Sequence, residues 1–204
     1  MISVVIHSYK YGHLVCHCIE SVLSQSLSPN EIFVIDDGVG DCAIVKSKYP
    51  SIKLIERKSN YGQVKGFNSA LDLVNNERFM MLGADNWLRP DAIEKLSMRD
   101  ADIVSYDLRV VGSDQFKWVP KNKKLKLDNH GYYYWPRRAS HHGSMLLNTK
   151  LAKECRYGSY ISEDNKVCED YYIYLKMLEK GASYSHIGEG LLYYRKHKSN
   201  FNGY

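Results

Sequence analysis

The chain has 204 residues, of which 44% are hydrophobic and 25% are charged. This composition is typical of a globular protein with a buried core, and it excludes disordered, collagen-like and coiled-coil proteins. The net charge of +5 suits an anionic small molecule, an acidic polymer or a membrane surface without choosing among them.

The cysteine count and the hydropathy pattern bear on the compartment. Five cysteines, an odd number without a C-x-x-C pair, argue against a disulfide framework or a zinc ribbon and favour a reducing environment. No apolar run approaches the roughly 20 residues of a membrane-spanning helix. The first residues lack the charge and cleavage pattern of a signal peptide. We therefore predict a cytoplasmic protein without a transmembrane segment.

Short apolar runs alternate with amphipathic stretches through the first hundred residues. The predicted strands are residues 2–6, 32–35, 52–55 and 79–82. The predicted helices are approximately residues 13–25, 41–48, 65–74 and 91–99. This alternation predicts a parallel sheet covered by helices on both faces. Ligands of such sheets bind beyond the carboxyl ends of the strands, which is where we expect the functional site.

The second half has a different pattern. Residues 103–111 and 116–119 flank Gly112 and predict a hairpin, and the lysine-rich residues 121–129 predict an exposed loop. The remaining predicted elements are a strand at 144–147, a helix at 170–180 and a short last strand at 191–194. No repeat or linker divides the chain, so we predict one domain over residues 1–204 with two unlike halves.

Acidic and aromatic side chains follow the predicted strands. Asp36 and Asp37 come after the second strand, where a carboxylate accepts hydrogen bonds from a pyrimidine or a ribose, or caps the next helix. Asp85 follows the fourth strand, where it serves as a ligand for Mg²⁺ or Mn²⁺ or forms an Asx turn. Tyr9 follows the first strand, where its ring stacks on a nucleobase, packs in the core or lies in a surface loop.

Two further candidates lie in the second half. Glu169 and Asp170 open a predicted helix, where carboxylates favour the positive end of the helix dipole or act as a general base. His197 lies near the basic end of the chain and is a candidate contact for phosphate or metal, although most isolated histidines there contact neither.

Taken together, these segments resemble glycosyltransferase family 2, whose members have the GT-A fold and use nucleotide-activated sugars. In the first half, the resemblance covers residues 3–9, 18–26, 31–38, 60–62, 68 and 79–96. In the second half, it rests on residues 142–144, 169–170 and 194–197. It implies an α/β fold, with a Rossmann-like, mostly parallel central sheet flanked by helices and a mixed C-terminal half. Residues 1–100 would bind the nucleotide, and residues 101–204 would bind the acceptor.

The resemblance also implies an activity and residue roles. A sugar would move, with inversion, from a UDP-sugar donor to a hydroxyl of a glycan, lipid-linked or protein-linked acceptor, with Mn²⁺ or Mg²⁺ as cofactor. Asp37 would contact the uracil or ribose, with Tyr9 packed on the base. Asp85 and His197 would hold the metal and the diphosphate, and Asp170, with Glu169 beside it, would be the catalytic base. Further donor contacts implied in this way are His7, Asp36, Asn60, Lys65, Asn68 and Ala84.

The chain departs from the family pattern at several positions, among them Val39, where a Ser commonly follows the glycine. Gly83 stands where an acid is usual, which leaves the ribose contact to Asp36 or to the backbone of Ala84. His7 replaces the usual Thr after the first strand. Phe67 stands where many members have Arg, so that Lys65 is the nearby candidate for a phosphate contact.

The sequence leaves other functions open. A nucleotidyltransferase would need a Gly-rich basic loop after the first strand, and residues 8–13 contain a single glycine. A sugar-nucleotide-binding module without catalysis would accommodate the change at Gly83. Nucleic-acid binding is not expected, because the basic residues are dispersed outside residues 121–126 and no recognition motif is present. The oligomeric state stays open, with a homodimer as one option.

Overall fold

The computed structural model describes residues 1–112, 142–159 and 169–197 in full and residues 117–118 by their backbone. The helices are α1 (Gly12–Leu23), α2 (Ile44–Lys48), α3 (Gln63–Leu73), α4 (Ala92–Ser97), α5 (Thr149–Cys155) and α6 (Glu169–Glu179). The strands are β1 (Ile2–Ser8), β2 (Glu31–Asp36), β3 (Lys53–Glu56), β4 (Arg78–Gly83), β5 (Trp87–Leu88), β6 (Ile103–Gly112), β7 (Lys117–Trp118), β8 (Leu146–Asn148) and β9 (Tyr184–Lys196).

The first four strands form the predicted parallel half of the sheet, in the order β3-β2-β1-β4. β1 is covered on both faces, and Val4, Val5 and Ile6 have no exposed surface. Val4 and Ile6 pack in the apolar layer that includes α1, whereas Val5 packs in the layer that includes α3. Because successive strand side chains point to opposite faces, an uninterrupted apolar run is needed to fill both layers. The predicted helix-covered sheet is confirmed.

Beyond β4 the sheet becomes mixed. β8 runs antiparallel to β4, β6 antiparallel to β8, and β9 parallel to β6. The predicted hairpin is present as the antiparallel pair of β6 and β7, but its turn lies largely outside the described residues, as does the whole of the predicted loop at 121–129. The sequence pattern predicts neither β5 nor α5.

The last strand is longer than the predicted residues 191–194. β9 has 13 residues, and its first part is polar, although the His186 side chain in it is only 5% exposed. The His186 ring Nδ1 lies 2.6 Å from Ser105 Oγ, and its Nε2 lies 3.0 Å from Asp107 Oδ1, both on the neighbouring β6. Hydrogen-bond partners on the adjacent strand allow polar side chains to be buried there. A search for apolar runs therefore finds only the second part of β9.

α6 confirms the predicted helix at residues 170–180. It buries Tyr171, Ile173 and Met177, and Gly181 follows it with a φ of +86°, a conformation that favours glycine after a helix. Within residues 1–112, 142–159 and 169–197, none of the helices has the combined length and hydropathy of a membrane span.

Candidate functional site

The candidate site lies at the carboxyl edge of the parallel strands. β1 is central there, because it pairs Ser8 with Asp36 on one side and His7 with Gly83 on the other. Residues that follow β2 and β4 are therefore brought to the two sides of the β1 end. This arrangement places the segments that begin at Asp37 and Ala84 at one edge of the sheet.

Asp36 organises the loop after β2. Its Oδ1 accepts hydrogen bonds from the backbone N–H groups of Val39 and Gly40, and its Oδ2 accepts one from Cys42, each at 3.0 Å. Burial disfavours the charged form of this carboxyl, but the backbone donors outweigh burial and lower its pKa. The carboxylate thus holds the turn before α2, but it does not cap that helix, whose N-cap residue is Ala43 without a side-chain bond, so the capping interpretation is wrong. Its contact with a donor stays a prediction.

Asp37 is paired with a cation that the sequence analysis missed. Arg57 Nη1 donates to Asp37 Oδ1 at 2.8 Å, and the two side chains are only 5% and 3% exposed. The guanidinium also donates to the Gly66 carbonyl at 2.8 Å and to Ser69 Oγ. The signal in the sequence is positional. β2 pairs Asp36 with Glu56, so Arg57 and Asp37 are the first residues beyond two neighbouring strands.

His7 lies beside this ion pair. Its Nε2 is 3.7 Å from Asp37 Oδ2, and its ring packs edge-on against Phe67 with centroids 5.2 Å apart. Burial lowers the pKa of His7 to about 4, although Asp37 acts in the opposite direction. The imidazole is therefore neutral at physiological pH.

Two tyrosines are exposed near these groups. Tyr9 follows β1 and is 36% exposed, and Tyr61 is 46% exposed. A hydrogen bond from the Asn60 side chain lowers the pKa of Tyr9, and the Arg57 guanidinium lies 5.1 Å from the centre of the Tyr61 ring. An exposed ring at Tyr9 is what stacking on a base would require.

Asp85 and His197 contact each other on the side of β1 opposite to Asp37. Asp85 Oδ2 lies 3.2 Å from His197 Nε2, although 112 residues separate them in the chain. Burial raises the pKa of Asp85, and the bond to His197 acts against that rise. The Arg195 side chain donates through Nε to the Asp85 carbonyl at 2.9 Å, and its backbone N–H donates to Asn86 Oδ1 at 2.9 Å. The end of β9 is thus tied to the loop after β4.

The missing side chain at Gly83 has a structural consequence. A Cβ atom at this position would lie 2.8 Å from Asp85 Oδ1 and 2.9 Å from Asn86 Nδ2, closer than real Cβ atoms come to such atoms. Asn86 Nδ2 also donates to Asp85 Oδ1 at 2.9 Å. Glycine therefore leaves the space that the Asp85 carboxylate and its amide partner occupy. Ala84 is fixed by its backbone N–H, which donates to the His7 carbonyl at 3.0 Å.

The Asp85 and His197 pair fits a divalent cation by its chemistry. Carboxylate oxygen and imidazole nitrogen are both ligands for Mn²⁺, and a site with few protein ligands leaves positions for phosphate oxygens and water. A second group, Asp36, Asp41 and Cys42, has ligand-type atoms within 4.8 Å of one another. There, however, Asp36 accepts backbone N–H groups, and Asp41 Oδ2 accepts the Gly12 N–H at 2.9 Å. That group builds the loop and the start of α1.

Glu169 and Asp170 lie at the N-terminus of α6. Glu169 is 7% exposed, and burial together with the nearby charge of Asp170 raises its pKa to about 7. Asp170 is half-buried, and its Oδ1 accepts the Tyr171 N–H at 2.8 Å. A Cβ at Gly143 would lie 3.4 Å from Asp170 Oδ2, so the loop before β8 borders this carboxylate.

α3 connects the region around His7 and Asp37 with the region around Glu169 and Asp170. Asn68 Nδ2 donates to the Tyr157 carbonyl, and the Tyr157 N–H donates to Asn68 Oδ1, both at 2.8 Å. Phe67, which contacts His7, also packs against Tyr157 at 5.2 Å. The charges of Asp170 and Glu169 add to the effect of burial in raising the pKa of Tyr157. Asn68 thus fixes the backbone at Tyr157, whose side chain is affected by the charges of Glu169 and Asp170. Lys65 is exposed on the same helix. Donor contacts of both residues stay predictions.

Comparisons with known proteins are consistent with this geometry. The uncharacterized glycosyltransferase YwdF of Bacillus subtilis (strain 168) is 30% identical over 130 residues, which cover 61% of this chain and 48% of that protein. The crystal structure of S. aureus TarS 1-349 in complex with UDP-GlcNAc superposes on this chain with a TM-score of 0.74 and 16% sequence identity. The superposition covers 98% of this chain and 59% of the TarS chain.

A further structural neighbour is the mannosyltransferase PcManGT from Pyrobaculum calidifontis in complex with GDP-Man and Mn²⁺, with a TM-score of 0.70 and 15% sequence identity. The superposition covers 98% of this chain and 58% of the PcManGT chain. The chain spans about half the length of the first curated relatives it matches. These neighbours are GT-A glycosyltransferases, and the predicted fold is confirmed. The model of the family described as "Glycosyl transferase family 2" matches residues 3–162, and the chain therefore belongs to this family.

Proposed function

We propose that this chain transfers a sugar from a UDP-sugar to an acceptor hydroxyl, with inversion and with Mn²⁺ or Mg²⁺ as cofactor. The observation that carries the proposal is the contact between Asp85 and His197, at the same sheet edge as Asp37. A carboxylate and an imidazole 112 residues apart in the chain face each other where the fold binds ligands. The complexes of the structural neighbours with UDP-GlcNAc and with GDP-Man and Mn²⁺ support a nucleotide-sugar donor.

In this proposal the first half of the chain binds the donor. Asp37, held by Arg57, accepts a hydrogen bond from the base, and Tyr9 stacks on it. Asp85 and His197 hold the cation, which neutralises the charge that develops on the leaving diphosphate. Because Asn86 and Arg195 fix the Asp85 loop, these ligands are positioned before the donor arrives.

The second half binds the acceptor, a glycan or a lipid-linked or protein-linked sugar. Asp170 removes the proton from the attacking hydroxyl, and its half-buried position leaves it accessible to that group. Glu169 has a raised pKa, so it is the weaker candidate for a carboxylate that is ionised below pH 7. Attack in one step on the face opposite the diphosphate gives inversion.

The experiment is donor turnover with purified protein. We expect UDP release from a UDP-sugar in the presence of Mn²⁺ and its loss on chelation with EDTA. Asp85→Asn is expected to lose metal-stimulated UDP binding. Asp170→Asn is expected to retain that binding and lose turnover. Glu154→Gln is the matched control, because Glu154 is an exposed acid paired only at the surface with Lys180.

The outcomes separate the candidate functions. UDP binding without any turnover, in the presence of a range of acceptors, would favour a sugar-nucleotide-binding module. Formation of a UDP-sugar from UTP and a sugar phosphate would identify a nucleotidyltransferase. Full metal-stimulated binding by Asp85→Asn would refute the assignment of the metal site.

A further inference from the structure

Two tyrosines flank Lys10 in the loop after β1, and they lie on different sides of the site. In an extended chain, residues two positions apart point to the same side. Lys10, however, has a φ of +66° and is one of only two residues other than glycine with a left-handed φ in the described part of the chain. Tyr9 bonds to the Asn60 side chain, whereas Tyr11 contacts His197. The turn at Lys10 therefore separates the two rings, and strained positions of this kind often lie at functional sites.

Tyr11 lies against the proposed metal ligands. Its ring packs edge-on against the His197 imidazole, with centroids 5.5 Å apart and an angle of 87° between the planes. This is one of the geometries that aromatic pairs prefer. Burial raises the pKa of Tyr11, and the charge of Asp85 adds to this rise, so the phenol is near that carboxylate as well. Tyr11 thus contacts one ligand and lies close to the other.

The backbone of Tyr11 is fixed by contacts outside the site. Its carbonyl accepts hydrogen bonds from the N–H groups of Leu14 at 2.8 Å and Val15 at 3.1 Å, as the N-cap residue of α1. The N–H of the next residue, Gly12, donates to Asp41 Oδ2 at 2.9 Å. The Tyr11 side chain also packs against the buried apolar layer that includes α1. A ring anchored in this way restrains the side chain that it contacts.

The place of His197 in the chain makes such a restraint useful. The pairing of β9 with β6 ends at Lys196, so the strand does not fix the histidine that follows. A side chain that becomes ordered only when its ligand binds lowers the affinity, whereas a side chain ordered beforehand does not. Histidine ligands of metal ions are usually oriented by a contact from a residue outside the ligand set.

We propose that Tyr11 is a positioning residue of the metal site, whose ring holds the His197 imidazole in the orientation in which Nε2 faces Asp85. This inference rests on the proposed function and deepens it. The role requires the aromatic ring of Tyr11 rather than its hydroxyl. An edge-on aromatic pair corresponds to about two- to tenfold in an equilibrium constant.

The test compares Mn²⁺ binding by the full chain and its variants in the presence of UDP. Calorimetry gives the affinity, and pulsed electron paramagnetic resonance detects the coupling of Mn²⁺ to an imidazole nitrogen. Tyr11→Leu should bind Mn²⁺ about two- to tenfold more weakly and show a reduced nitrogen coupling. Tyr11→Phe, which keeps the ring, should match the unaltered protein in both measurements.

Tyr49→Leu is the matched control. Tyr49 lies in the same apolar layer, and its hydroxyl donates to Glu20 Oε1 at 2.8 Å. This substitution removes a tyrosine ring from the layer but leaves the contact of Tyr11 with His197 in place, so the Mn²⁺ affinity and the nitrogen coupling should be unchanged. If Tyr11→Leu fails to fold, as judged by circular dichroism, Tyr11→Gln takes its place, because a polar side chain suits this half-buried position.

The outcomes distinguish this inference from the proposed function. Unchanged affinity and nitrogen coupling without the Tyr11 ring would overturn the role of Tyr11 and leave the metal site in place. An equal loss in Tyr11→Phe, or in Tyr49→Leu, would also overturn it, because the loss would then come from the hydroxyl or from the apolar layer. A nitrogen coupling that is absent from the unaltered protein, or that survives in His197→Ala, would overturn the proposed metal site and this inference together.

Discussion

The buried pair of Arg57 and Asp37 gives the sharpest stability prediction. Arg57→Met removes hydrogen bonds to Asp37, to the Gly66 carbonyl and to Ser69, and leaves the 3% exposed Asp37 carboxylate without its cation. Loss of one partner from a buried ion pair costs about 3–5 kcal/mol. This is a large part of the roughly 5–15 kcal/mol by which domains are usually stable. We therefore expect a marked loss of stability.

The assay is urea unfolding followed by circular dichroism. The double variant Arg57→Met/Asp37→Asn should recover part of the loss, because the uncompensated charge is gone. Arg156→Met is the matched control, since Arg156 and its partner Asp72 have side chains that are 39% and 57% exposed. Such a surface pair is worth about 0–1 kcal/mol. A loss of stability in Arg57→Met no larger than that in Arg156→Met, or no recovery in the double variant, would refute the stabilising role of the buried pair.

Two further predictions concern the acidic groups. Gly83→Asp adds a side chain whose Cβ would lie 2.8 Å from Asp85 Oδ1. We therefore expect weaker Mn²⁺-dependent binding of UDP in calorimetry. Unchanged affinity would show that the Asp85 carboxylate has room to move. Burial and Asp170 raise the pKa of Glu169 from 4.5 to about 7, so the folded state holds this proton more tightly than the unfolded chain does. The free energy of unfolding should therefore fall, by about 3 kcal/mol, as the pH rises from 4.5 to 7. Glu169→Gln should flatten this slope in denaturant titrations, and an identical slope would contradict the assignment.

Much of the first half could be predicted because its central strands, β1 and β4, are buried on both faces. The apolar runs of β1 and β4 mark them directly, and the rule that ligands bind at carboxyl edges selects Asp37 and Asp85 as candidates. Arg57 was missed because its importance comes from the register of β2 with β3, which no single segment displays.

The second half was harder for a related reason. In the polar first part of β9, the His186 side chain is buried because it bonds to Ser105 and Asp107 on β6, more than 70 positions earlier in the chain. The contact of Asp85 with His197 depends in the same way on a strand pairing between distant segments. The local sequence pattern does not predict such pairings. Asp85 and His197 were nevertheless candidate metal ligands, because of their residue types.

The most direct test of the proposed metal site is anomalous diffraction at the manganese edge from crystals grown with UDP and Mn²⁺. We expect an anomalous peak between Asp85 and His197, in contact with the diphosphate. A peak confined to the group of Asp36, Asp41 and Cys42, or UDP bound without any metal near Asp85, would contradict it.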